Sequence, residues 1–340
     1  MRASEQSSRF FRMALAAAAL ALVAVVFNAY ARLSEAGLGC PDWPGCYGML
    51  FAPVTAQDLP QEIDPVRQKA LEKKHAAQET LQRFISVGLS FLLIRVAVLG
   101  WQLKRRHRGQ QIWIPLVTLI ITLGVGAAVS FNFEYRYKPL VLMMQLVGSM
   151  TTLALLWWIV LREQRFFRSV HVSVGRGLRP RALFALVLVA AEVVLGGWSM
   201  VNYAGLACPD FPICQGRWWP PMDFLEAFTL WRDVGLDYEG RLLALPAVTA
   251  IHFAHRIGAL MVLFYVGWLA LHVLRVGHEQ NLCRYGMLIL AIFVAEMALG
   301  IVEVVVHLPL AVAVTHSAFA ALLLLALVTL YHVVRPPRTL

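Results

Sequence analysis

Ala36-Gly37-Leu38-Gly39-Cys40-Pro41-Asp42-Trp43-Pro44-Gly45-Cys46 is answered by Ala204-Gly205-Leu206-Ala207-Cys208-Pro209-Asp210-Phe211-Pro212-Ile213-Cys214, at a constant offset of 168 residues. A shared C-P-D-aromatic-P-x-C core of this length marks an internal duplication. Around it lie apolar runs of about 20 residues, each long enough to cross a hydrocarbon layer of about 30 Å as a helix. Eight such runs stand near 13–31, 84–103, 112–131, 139–161, 182–203, 247–274, 285–306 and 308–334. They are continuous rather than alternating, and backbone polar groups in lipid must be satisfied within their own segment, so the runs are read as helices and a β-barrel is excluded. The expected fold is an all-α membrane protein of eight transmembrane helices, arranged as two tandem, pseudo-symmetric four-helix bundles over 1–165 and 166–340. The link near 162–181, rich in Arg and Gly, is the boundary.

Composition agrees with a lipid environment. Of 340 residues, 59% are hydrophobic and 15% charged, against roughly 25% charged in an average soluble domain. The net charge of +10 does not imply a nucleic-acid partner, because the basic residues follow membrane topology. Arg2, Arg9 and Arg12 precede the first run; Lys104, Arg105, Arg106 and Arg108 follow the second; six arginines lie between Arg162 and Arg181; Arg275 and Arg284 flank the sixth-to-seventh link, and Arg335 and Arg338 close the chain. Both termini and the even-numbered links are therefore expected in the cytoplasm, with the long links near 33–79 and 204–246 outside. No small-residue cleavage site follows the first run, so it is read as a retained helix rather than a signal peptide. The Arg- and Ser-bearing start is short for an organelle import peptide, and the expected location is a bacterial plasma membrane, with multiple passes.

Cys40 and Cys46 fall in the first outer link, Cys208 and Cys214 in the third, and Cys283 alone at an inner helix end. Outward-facing pairs read as disulfides, with redox exchange or metal binding as the alternatives, and the lone inner cysteine as an inert thiol.

Carried into the helices, the duplication sets Gln82-Arg83 opposite His255-Arg256 and Gln145 opposite His316. Two histidines on the second and fourth helices of one bundle offer a porphyrin one Nε2 from each side, so bis-histidine ligation of a heme is the reading, with Arg256 placed to neutralise a propionate. The alternative for each histidine is a hydrogen bond to a neighbouring helix. His252 and Glu79 each lie three residues before the compared position, on the same face, and can approach the same pocket. Glu192 and Glu296 stand mid-helix, each followed by Leu-Gly (Glu192-Val-Val-Leu-Gly and Glu296-Met-Ala-Leu-Gly). An intramembrane carboxyl marks a functional position, with proton transfer as one reading and a protonated acid bonded to a neighbouring helix as the other.

These residues resemble the heme A synthase family, membrane enzymes that oxidise heme O to heme A for cytochrome oxidase assembly. Carrying the resemblance are Cys40-Pro41-Asp42-Trp43-Pro44-Gly45-Cys46-Tyr47-Gly48, Cys208 to Gly216, Trp218-Trp219-Pro220-Pro221-Met222-Asp223-Phe224, Ile251-His252-Phe253-Ala254-His255-Arg256, and His316. The resemblance implies a low-spin heme b held in the second bundle by His255 and His316 as iron ligands. It further implies oxidation of heme O at a methyl group in the first bundle, where a Glu-x-x-His-Arg motif supplies a glutamate and an iron ligand. That motif reads Glu79-Thr80-Leu81-Gln82-Arg83 here, and the partner histidine is Gln145. A carboxamide is a poor ligand for heme iron beside imidazole. Both axial positions of the presumed substrate pocket, Gln82 and Gln145 with Arg83, are thus changed together, leaving Glu79 as base or cation stabiliser.

Two functions compete. One is an oxidoreductase of the heme A synthase type, with heme O as substrate, heme b as cofactor and the bilayer as surroundings. Heme O synthase, oxidase assembly factors and a homo-oligomer come into view as partners. The other is a non-catalytic heme b-binding paralogue acting in oxidase assembly or electron transfer. A transporter ranks third, because the spans lack paired broken helices.

Overall fold

A computed structural model describes residues 2–34, 75–106, 113–131, 139–163, 172–230, 243–276 and 282–335. Among the described residues eight long helices dominate: α1 Arg2–Leu33, α2 His75–Arg106, α3 Trp113–Phe131, α4 Pro139–Glu163, α5 Val172–Val201, α6 Leu245–Val276, α7 Cys283–Val305 and α8 Leu310–Val333. One further helical turn, Phe224–Ala227, lies in the α5–α6 link, and no strand occurs among the described residues. Seven of the eight long helices are long and apolar enough to cross a membrane. The exception is α3, whose described apolar stretch, Trp113–Ala127, is shorter.

Side chains that interrupt the apolar runs satisfy themselves locally. Thr118, Thr122, Ser149 and Ser317 each return a hydroxyl to the carbonyl four residues earlier, which removes an orphan donor from an apolar setting. Close approach of the helices rests on small residues. Ala14, Ala17, Ala18 and Ala21 form a buried face of α1, and a methyl built on Gly148 of α4 would overlap Val125 of α3.

Each run of four consecutive helices closes a ring of contacts. In the first half α1 touches α2 and α4, and α3 touches both α2 and α4; in the second α5 touches α6 and α8, and α7 touches both α6 and α8. The halves meet where α1 and α4 pack on α8 and where α4 packs on α5. Trp157 of α4 donates its indole N–H to Thr329 Oγ1 of α8 at 2.8 Å. Gly197 of α5 brings that helix against Met143 and Leu146 of α4, both 3.2 Å from a methyl built there. The gap between α6 and α8, on opposite sides of the second ring, is where the functional groups collect.

Candidate functional site

The link after α5 caps the second ring at one end. Cys208 and Cys214 are joined as a disulfide with Cα atoms 4.6 Å apart, and the Phe211–Pro212 peptide is cis. Two successive residues with left-handed backbone, Gln215 (φ 54°) and Gly216 (φ 71°), turn their N–H groups onto the two Asp210 carboxylate oxygens at 2.6 and 2.7 Å. These bonds, first that from Gly216, hold the Asp210 carboxyl below its ordinary range, and the nearby Arg256 charge adds to the effect. Arg256, eleven residues into α6, donates Nη1 to the Ile213 carbonyl and Nη2 to the carbonyls of Cys208 and Asp210, all at 2.8 Å. Its Nε has no hydrogen-bond partner. The motif shared by both halves is therefore, in this half, a folded plug tied to α6 by the Arg256 guanidinium and by the Gln215 amide, which donates to Thr249 Oγ1 at 2.8 Å.

Beneath the plug two imidazoles stand on α6 and α8, each beside a carboxylate of the preceding helix. His255 Nδ1 lies 2.7 Å from Glu192 Oε1 of α5, and His316 Nδ1 lies 3.3 Å from Glu296 Oε1 of α7. Neither Nδ1 has a hydrogen-bond partner, so both contacts are close approaches of ring and carboxylate. Each carboxylate is followed four residues later by a glycine that makes room for the ring it faces. A methyl built on Gly196 would stand 3.0 Å from His255 Cε1, and one on Gly300 3.2 Å from His316 Cε1. Gly258, one turn beyond His255, leaves the space that the Glu192 carboxylate fills. A third carboxyl, Glu303, lies 4.0 Å from His316 Nε2 and within electrostatic reach of both imidazoles. His252 turns elsewhere: buried, it places Nδ1 2.8 Å from the Ala204 carbonyl and serves the loop.

The first half is built differently at the same register. Gln82 of α2 donates its amide to Asn28 Oδ1 of α1. Arg32, one turn further along α1, donates to Gln145 Oε1 of α4. At the offset of 168 set by the repeated loop, Asn28 matches Gly196 and Ala24 matches Glu192; at the offset of 173 that pairs Gln82 with His255, Ile85 matches Gly258. So where the second half has imidazole, carboxylate and two glycines, the first has amide, methyl, amide and a branched apolar side chain. No Asp or Glu occurs anywhere in α3, the counterpart of α7.

Of the residues singled out in the sequence, His255, His316, Glu192 and Glu296 are thus gathered into one site, while Arg256 and the Cys208–Cys214 pair form the cap over it. Gln82 and Gln145 are brought to α1 on neighbouring turns. Glu79 and Arg83 lie on α2 flanking Gln82; Cys40 and Cys46 fall outside the described residues. Glu303 was not singled out in the sequence, although it follows Glu296 by seven residues, two helical turns on one face. Among the described residues no group of three or more His, Cys, Asp or Glu is placed to hold a metal ion.

A family model described as cytochrome oxidase assembly protein, COX15-CtaA, matches residues 11–328. A protein of Shewanella oneidensis named heme A synthase is 34% identical over 310 residues, covering 91% of this chain and 92% of that protein. Proteins of the same name from Methylobacterium radiotolerans and Lysinibacillus sphaericus are 26% and 22% identical, covering 89% and 94% of this chain and 84% and 93% of their own length. With a match that runs through both halves and both faces of the site, this chain belongs to the COX15-CtaA family of cytochrome oxidase assembly proteins.

Proposed function

We propose that this chain is a membrane oxidoreductase of the heme A synthase type, converting heme O to heme A by oxidation of a porphyrin methyl group, with a heme b in its second half. The observation that carries the reading is the pair of imidazoles on α6 and α8, across one ring of helices. Each is seated against a glycine and backed by a carboxylate at Nδ1, which leaves Nε2 for iron. A porphyrin supplies its own four equatorial nitrogens, so two histidines suffice as protein ligands. When bound, heme b supplies one-electron carriage. His255 and His316 would hold it, and Arg256, whose Nε remains unpartnered, would offer a donor to a propionate.

In the first half Glu79, one turn before Gln82, is the residue proposed to act on the heme O methyl as base or cation stabiliser. That methyl would take its oxygen from water over successive oxidations, its electrons passing to an external acceptor. We place the chain in a bacterial plasma membrane with eight spans in two tandem bundles, 1–165 and 166–340, and both termini in the cytoplasm. The two rings of helix contacts and the basic residues flanking the runs support that arrangement.

The engagement of Gln82 by Asn28 and of Gln145 by Arg32 favours the second reading, a heme b-binding paralogue that takes part in oxidase assembly or electron transfer without converting heme O. Incubating the purified chain with heme O and an electron acceptor, then extracting and chromatographing the hemes, separates the two. Formation of heme A supports the enzyme; a retained heme b with unaltered heme O supports the paralogue.

A further inference from the structure

We propose that Glu192 and Glu296 are positioning residues that act through the axial histidines, each accepting the Nδ1 hydrogen of its partner ring and together holding the heme at a lower reduction potential than bis-imidazole ligation alone provides. The inference rests on the heme b reading above and extends it to groups that touch neither heme nor substrate.

Four observations carry it. First, both contacts have the same construction: a carboxylate on the odd-numbered helix, a histidine on the next helix, and a glycine four residues after the carboxylate against the ring. Secondly, neither His255 Nδ1 nor His316 Nδ1 has a hydrogen-bond partner, which leaves the carboxylate 2.7 or 3.3 Å away as the acceptor at hand for a hydrogen on that nitrogen. Thirdly, the space is specific. Glu192 Oε1 and Oε2 are buried and make no hydrogen bond, and Gly258 is open where that carboxylate lies. Fourthly, the pattern vanishes as a set in the half where Gln82 and Gln145 stand at the two histidine positions: Ala24, Asn28 and Ile85 replace Glu192, Gly196 and Gly258, and α3 has no acid. An intramembrane carboxylate retained merely for packing has no reason to come and go with an imidazole on another helix.

The chemistry follows from metal-ligand physics. A carboxylate taking the Nδ1–H orients the ring, fixes Nε2 as the donor atom and raises its basicity. A more basic imidazole stabilises ferric over ferrous iron, as does a nearby negative charge, so both carboxylates push the potential down.

The test uses the full-length purified protein, carrying the heme with which it is isolated. Glu192→Gln, Glu296→Gln and the double variant are compared by heme content, redox titration and electron paramagnetic resonance of the ferric state. Each single variant is expected to keep a low-spin heme and to raise the midpoint potential. The double variant should shift the oxidised-to-reduced ratio at least tenfold, which is about 59 mV for one electron, with an altered g anisotropy. Glu192→Asp and Glu296→Asp should recover part of the shift. Gly258→Ala, which displaces the Glu192 carboxylate without changing any charge, should raise the potential as well, and serves where a Gln variant fails to accumulate. Full heme content with unchanged potential and g values in the double variant and in Gly258→Ala overturns the inference alone. Absence of a bis-histidine heme from the unmodified protein overturns the heme reading, and the inference with it.

Discussion

Asn28 of α1 holds the Gln82 amide at the register where, in the second half, Gly196 lies open to the His255 ring. The two halves differ by a complete side-chain environment as well as by glutamine against histidine. Replacing Gln82 and Gln145 by histidine therefore restores two ligand atoms without the room around them. The Gln82→His, Gln145→His variant is expected to gain little or no second low-spin heme, whereas adding Asn28→Gly should yield one. Heme-to-protein ratio and the optical spectrum check this; a full second heme in the variant that keeps Asn28 would contradict it.

Gly196 and Gly300 are expected to tolerate no branched side chain. A methyl at either would stand at 3.0 or 3.2 Å from a histidine carbon, tighter than relaxed contact, and overpacking of this kind typically costs about 1–3 kcal/mol. Under the proposed heme b site, Gly196→Val and Gly300→Val should each lower heme content and sharpen its loss on dilution in detergent. Gly177→Ala, at a position with nothing within 4 Å of the added methyl, is the control that should leave heme content unchanged.

Much of this architecture is legible from the chain because lipid restricts backbone to helices and because a duplication exposes equivalent positions. His255 and His316 stand out by that comparison alone. The partners of Glu192 and Glu296 do not, since an intramembrane acid announces a cost, and the residue that offsets it lies on another helix 63 or 20 positions away. The signal was present in the repeated Glu-x-x-Leu-Gly spacing, whose glycine marks the ring's seat. Arg256 reads from sequence as a group for a propionate; in the fold most of its donors go to three loop carbonyls, a use invisible until the loop's path is known. The shortness of the described apolar part of α3 has no signal in hydropathy, because the run near 112–131 extends beyond that part.

Arg256→Leu should destabilise the cap more than loss of its disulfide does. It strands three carbonyls that now accept hydrogen bonds, among them that of the buried Cys208, and a buried acceptor left unsatisfied costs about 1–3 kcal/mol. By contrast, the Cys208–Cys214 bond closes a loop of sequence separation 6, worth on the order of 2–3 kcal/mol or less by loop entropy. Limited proteolysis of the α5–α6 link, followed in detergent for Arg256→Leu and for the Cys208→Ser, Cys214→Ser pair, ranks the two. In the unmodified protein, alkylation without reductant should reach the half-buried free thiol of Cys283 and neither Cys208 nor Cys214.

The cap's acid sensitivity should trace to Asp210. Backbone N–H groups of Gly216 and Gln215 and the Arg256 charge favour its ionised form in the fold, so its folded-state pKa lies below the unfolded one. A group depressed in this way adds stability that is complete above the unfolded carboxylate range and is lost as pH falls through that range toward the folded value. Proteolytic resistance of the α5–α6 link is therefore expected to be constant from neutral pH down to the ordinary carboxylate range and to decline only below it. Asp210→Asn keeps one acceptor oxygen for the two N–H groups but removes the titrating charge; it should start less resistant at neutral pH and show a flatter acid limb. An acid limb in Asp210→Asn as steep as in the unmodified protein would assign the sensitivity to another group.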